Sequence, residues 1–185
     1  MSFDALWLPI ILSAVLVFVA STLIHMVLKW HNSDYHGLKN EDAVRDVMRA
    51  GAPAPGAYMI PYCADHKLMR MPEFQKKFED GPVAMLTVRR NGFPGMGPAL
   101  VQWFLYTLAI AAIAAYVACL GLGGPAPFNQ VLCMAGLVAF VAYAGGGIQG
   151  GIWMGKPWRS VSKDILDALI YAAITGGTIA WLWPR

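Results

Sequence analysis

The sequence predicts an all-α integral membrane protein with four transmembrane helices and a small α+β or interfacial region between helices 1 and 2. Two observations carry this expectation. Of the 185 residues, 57% are hydrophobic and only 14% are charged, against about 25% charged in an average soluble domain. The apolar excess is also concentrated, in blocks at 5–28, 99–122, 131–154 and 165–183, where Asp167 is the only Asp, Glu, Lys or Arg. As a helix, each block is long enough to cross a hydrocarbon core of roughly 30 Å.

The blocks divide the chain into a first transmembrane helix at 1–30, an extramembrane region at 31–98 and a three-helix bundle at 99–185. The first block is read as a retained span rather than a signal peptide. Asp4 and no Lys or Arg precedes it, and the apolar run is longer than a usual signal core. It closes on "KWHNSDYHG", whose Trp30 and Tyr35 suit an interface.

In the extramembrane region, "NEDAVRDVMRAG" predicts a short helix near 41–50, with Asn40 as N-cap and Gly51 as stop. "AYMIPY" is a short extended piece. "MPEFQKKFEDG" predicts a second helix near 72–79, with Pro72 in its first turn and Phe74 and Phe78 four apart. "VAMLTVRRNG" has the pattern of a strand ending in an Asn-Gly turn. Between spans two and three only "GLGGPAPFN" intervenes, so those helices are expected to be antiparallel neighbours.

Charge sets an expected orientation. Every Lys and Arg except Arg185 belongs to the 31–98 region, the "GKPWRSVSK" connector or Lys29 at the edge of the first span. The positive-inside rule then places 31–98 in the cytoplasm and both termini outside. The net charge of +3 is small and the basic residues are interleaved with acids, which argues against a nucleic-acid surface. Cys63, Cys119 and Cys133 frame no disulfide scaffold.

Small residues recur four apart: Gly147, Gly151 and Gly155 in the third span, and Ala168, Ala172, Gly176 and Ala180 in the fourth. In an apolar solvent helices associate through close backbone contact, so these faces are the expected helix-packing surfaces. Pro9, Ser13, Val17, Ser21, His25 and Lys29 form a mildly polar stripe on the first span. Helical spacing puts His25, Gln102, Gln149, Asp167 and Tyr171 at similar depth, a polar intramembrane layer. Ionisable groups inside a bilayer are costly and face the bundle interior or water. A His25–Asp167 contact is therefore expected, direct or through Tyr171, Gln149 or one water. His31 and His36, beyond Lys29 and Trp30, are expected at the aqueous edge.

His31, His36, Cys63 and His66, with Asp34 and Asp65 nearby, carry zinc-type donors. Their spacing is irregular and "GAPAPG" separates the two halves, so no structural metal centre is expected of them, and no cofactor. No G-x-S-x-G, H-E-x-x-H, dinucleotide fingerprint or P-loop is present, and no catalytic residue is assigned.

The stretches His25 to Tyr35 ("HxxxxxHxxDY"), Met71 to Val88 and Gly155 to Pro184 resemble a group of small four-span bacterial membrane proteins of unassigned function. The resemblance implies a bacterial inner-membrane protein and carries over no site residue. Three function classes stay open. A non-catalytic accessory or structural subunit of a larger membrane complex fits best, with other membrane subunits, further copies of the chain and lipid as partners. A small transporter or channel component built on the polar layer comes second, and a membrane enzyme or redox protein third.

Overall fold

The structure is a computed structural model that describes residues 3–65 and 67–184. Its helices are α1 (Trp7–Thr22), α2 (Glu41–Gly51), α3 (Pro72–Asp80), α4 (Met96–Leu122), α5 (Phe128–Trp153) and α6 (Trp158–Trp181), with strands β1 (Gly56–Ile60) and β2 (Ala84–Val88). The chain divides into two compact units, Met1–Tyr35 with Gly95–Arg185, and His36–Pro94.

Three helical stretches are long and apolar enough to cross a membrane: Phe3–Leu28, Met96–Leu122 and Phe128–Trp153. The fourth, α6, falls short on composition, because its first ten residues carry Arg159, Lys163, Asp164 and Asp167. Three spans are thus supported by length and composition, where four were expected.

Packing in the first unit follows from side-chain size. Leu6 and Ile10 meet a run of alanines on α4, Ala111, Ala114, Ala115 and Ala118, together with Val131 and Ala135 of α5 and Ile179 of α6. Alanine lets helix axes come close, which maximises dispersion contact where no hydrophobic effect operates between spans. Between α5 and α6 backbone meets backbone directly. A methyl on Gly176 would lie 2.8 Å from the Leu132 carbonyl oxygen and 2.9 Å from the Gly136 backbone. Gly147 is closed in by the Asp164 side chain and Gly151 by Val161, while Ala168 and Ala172 are buried. Gly155 differs from the others. It follows the end of α5 with φ 68° and open space around it, so it reverses the chain rather than packing a helix face.

Hydroxyls inside α1 are satisfied locally. Ser13 donates to the Pro9 carbonyl at 2.6 Å and Thr22 to the Phe18 carbonyl at 2.9 Å, back-bonds that hide a polar atom in an apolar helix.

In the second unit β1 and β2 form an antiparallel pair, from Gly56 opposite Val88 to Ile60 opposite Ala84. After α2 it is Ala52, with φ 42°, that takes the left-handed conformation, not the expected Gly51, which remains the last helical residue. Among the described residues of 36–94, none is buried.

Candidate functional site

The end of α1 departs from a straight helix. At Leu23–Leu28 it widens into a π-helical turn, in which the Lys29 N–H donates to the Ile24 carbonyl at 3.2 Å. Lys29 then takes φ 53°, a conformation uncommon for a residue with a side chain. The reversal starts a 3₁₀ turn, Trp30–Asp34, which folds back on the bundle instead of continuing away from it. π-turns of this kind are frequent at functional sites.

The fold-back gathers ionisable groups. His31 lies between two carboxylates, with Nδ1 2.8 Å from Asp34 Oδ2 and Nε2 2.9 Å from Asp167 Oδ2. His25 stacks on His31, ring centroids 4.7 Å apart and planes within 2°. The Nδ1 of His25 is 3.0 Å from the Ser21 carbonyl, and its Nε2 is 3.8 Å from the same Asp167 oxygen. Lys163 of α6 fixes the turn from the other side. Its ammonium donates to the Trp30 carbonyl at 2.7 Å, Ser33 Oγ at 2.8 Å and Asp34 Oδ1 at 2.6 Å, which uses all three of its donors. That hydrogen bond from Lys163, with help from His31 and Ser160 and against a desolvation cost, holds the Asp34 carboxyl down at about 2.

Below this cluster lies an aromatic layer. Tyr171 packs edge-on against Tyr143 at 5.3 Å and against Trp103 at 6.2 Å. The Trp103 indole N–H donates to Ser21 Oγ at 2.8 Å, and Ser21 donates in turn to the Phe18 carbonyl at 2.8 Å, so α4 is tied to the polar stripe of α1. The Tyr171 hydroxyl and Asp167 Oδ1 are buried with no hydrogen-bond partner among the described residues. Lys156 forms a further ion pair with Asp164, one turn before Asp167 on α6.

Of the residues expected to share a polar layer, the structure brings together His25, Asp167 and Tyr171. Gln102 and Gln149 are exposed and stand apart from the cluster. The principal partner of Asp167 is His31, which was expected in water, while His25 sits at longer range. The side chain of His31 is 15% exposed and that of His25 is 50% exposed. The expected ranking of the two rings is therefore inverted, and the cause is the left-handed turn at Lys29. Asp34 was named only as a neighbour of the zinc-type donors, and Lys163 and Trp103 were given no part in the site. The i, i+3 spacing of His31 and Asp34 is a usable sign of the histidine–carboxylate pair; Lys163, 129 positions from Asp34, has no comparable local sign. His36 is exposed in the other unit. The thiol of Cys63 donates to the Asp65 carbonyl at 3.0 Å, and His66 lies outside the described residues.

No protein-family profile, curated protein or solved structure matches the chain.

Proposed function

We propose that this chain is a four-span bacterial inner-membrane protein that serves as a non-catalytic accessory or structural subunit of a larger membrane complex. The observation that supports this most directly is the 36–94 unit. It has ordered helices and a strand pair, yet none of its described residues is buried. Val47, Tyr58, Met59, Ile60, Tyr62 and Met85 are all exposed. Ordering a backbone costs about 1–2 kcal/mol per residue, and a unit this small offsets that cost only by burying apolar area. A partner subunit supplies the missing burial in this proposal.

The length of α6, 24 residues or about 36 Å of helix, supports a fourth span. Asp164 and Asp167, near its polar end, are paired rather than bare toward lipid, and pairing lowers the cost of placing charge at a membrane edge. Basic residues near the span ends favour a cytoplasmic 36–94 unit with the termini outside.

Extraction in mild detergent tests the subunit proposal. A stoichiometric partner protein is expected to co-purify, and to be lost when Met59→Glu and Tyr62→Ser are combined. A lone chain or homo-oligomer that keeps its full thermal stability in lipid nanodiscs, with 36–94 protected by lipid alone, would overturn it.

One observation favours transport as a second reading. Asp167, Tyr171 and Thr175 form a buried stripe along α6, and all three carry a polar atom without a hydrogen-bond partner among the described residues. Proton flux through vesicles containing only this chain, abolished by Asp167→Asn, would move the assignment to that class.

A further inference from the structure

We infer that His25, His31 and Asp167 form a binding site for one divalent transition-metal ion of the zinc type, with Asp34 and the Ser21 carbonyl orienting the two imidazoles.

The donor atoms are placed for it. One ligand atom from each of the three residues lies within 4.8 Å of the other two. In tetrahedral zinc with N and O ligands, adjacent donor atoms are about 3.3 Å apart, as follows from metal–ligand distances near 2.0–2.1 Å. The two Nε2-to-Oδ2 separations, 2.9 and 3.8 Å, bracket that value.

The hydrogen bonds around the rings point the same way. His25 Nδ1 faces a backbone carbonyl and His31 Nδ1 faces a carboxylate. Each acceptor requires a proton on Nδ1, so in the neutral rings Nε2 is left as a bare lone pair. Both lone pairs then face Asp167 Oδ2, itself electron-rich. Metal-binding histidines are oriented by this same arrangement, with the non-ligating N–H donated to a carboxylate or carbonyl.

A positive charge is needed among these three atoms, and the neighbouring cation does not supply it, since the Lys163 ammonium is engaged by Trp30, Ser33 and Asp34. A single proton on His31 joins two of the atoms and leaves His25 aside. It also leaves Asp167 Oδ1, in a residue only 5% exposed, without a partner among the described residues. A metal ion joins all three groups and accepts both carboxylate oxygens. Two imidazoles and one carboxylate select zinc or a related first-row ion over calcium or magnesium, which prefer oxygen.

The parallel rings do not yet point their lone pairs at a single spot. His25 is the half-exposed ring, and a tilt of its plane closes the set. It borders a crevice lined by Ser21, Thr22, Met26, Met96 and Trp103, which leaves room for a further ligand such as water beyond the three protein groups. This is the open-position geometry of non-structural zinc sites.

The test uses tag-free, chelator-treated full-length protein in detergent micelles, titrated with zinc by calorimetry and with cobalt by visible absorption. One ion per chain is expected, with binding of zinc at least 100-fold weaker in His25→Ala, whose half-exposed side chain leaves the fold intact. Asp34→Asn is expected to weaken zinc about 10- to 100-fold through the lost orientation of His31, and His36→Ala to leave it unchanged. Magnesium and calcium are expected not to compete. Wild-type protein that binds no zinc more tightly than about 1 mM would overturn the proposal and leave a proton on His31 in its place. Equal zinc affinity in wild type and His25→Ala would overturn it too, and so would equal competition by calcium.

Discussion

Gly176→Ala and Gly177→Ala are adjacent substitutions on one helix, with the same chemistry and the same gain in helix propensity. That gain is about 1 kcal/mol. At Gly177 the added methyl meets nothing within 4 Å, so the gain stands and the protein is expected to be equally or slightly more stable. At Gly176 the methyl would sit 2.8 Å from the Leu132 carbonyl oxygen and 2.9 Å from Gly136 N and Cα, where ordinary contact begins at 3.4 Å. All three atoms are backbone, so no side chain can swing away, and α5 and α6 must part by roughly half an ångström. Overpacking a tight contact costs about 1–3 kcal/mol, which outweighs the propensity gain. The two variants should therefore differ by about 2 kcal/mol, a factor of roughly 30 in the unfolding equilibrium. Reversible unfolding in mixed micelles, followed by tryptophan fluorescence, measures both on one scale. Equal stability would refute the close α5–α6 approach at Gly136 and Gly176 on which the bundle is built.

Removing the His31 ring strips the Asp34 carboxylate of its Nδ1–H donor and empties the space beside the buried Asp167, and loss of one member of a buried pair costs about 3–5 kcal/mol. His31→Ala is thus expected to lower the unfolding midpoint clearly in the same assay, while exposed His36→Ala stays within about 0.5 kcal/mol of wild type. Trp103→Phe removes the indole donor to Ser21 but keeps an aromatic ring; a loss of about 1 kcal/mol is expected, and the Ser21→Ala/Trp103→Phe double mutant should show that the two effects are not additive. Single cysteines at Asp80 and Pro184, in a chain lacking Cys63, Cys119 and Cys133, are expected to label oppositely with a membrane-impermeant reagent on intact cells. Labelling of position 80 and protection of 184 would reverse the proposed orientation. Chelator-treated Cys63→Ala protein is expected to bind as much zinc as wild type; a drop in stoichiometry would place a metal ligand in 36–94.

Helical spacing put His25 and Asp167 at similar depth, and the structure sets them 3.8 Å apart even though His25 lies in the π-turn. The same counting failed at His31. It assumed that the chain runs straight past Lys29 into water, whereas the π-turn at Leu23–Leu28 and the left-handed Lys29 bend it back. A left-handed lysine is unfavourable in isolation. What offsets it is the set of three bonds from Lys163 to Trp30, Ser33 and Asp34, formed across a sequence gap that no local pattern records. Gln102 and Gln149 are exposed, because approximate depth along a helix does not fix the direction in which a side chain points.

Four apolar blocks, their lengths, the basic residues at their ends and the small residues four apart are properties of the chain alone, and they determine its helical, membrane-type character. They do so because hydrocarbon selects on local quantities, namely the number of consecutive apolar residues and the satisfaction of backbone hydrogen bonds within one helix. Which glycine takes the closest contact, which histidine holds Asp167, and that Lys163 anchors the fold-back were decided only by tertiary structure. Each depends on where a second, distant segment comes to rest, and short-range contact and hydrogen-bond geometry change decisively over less than an ångström.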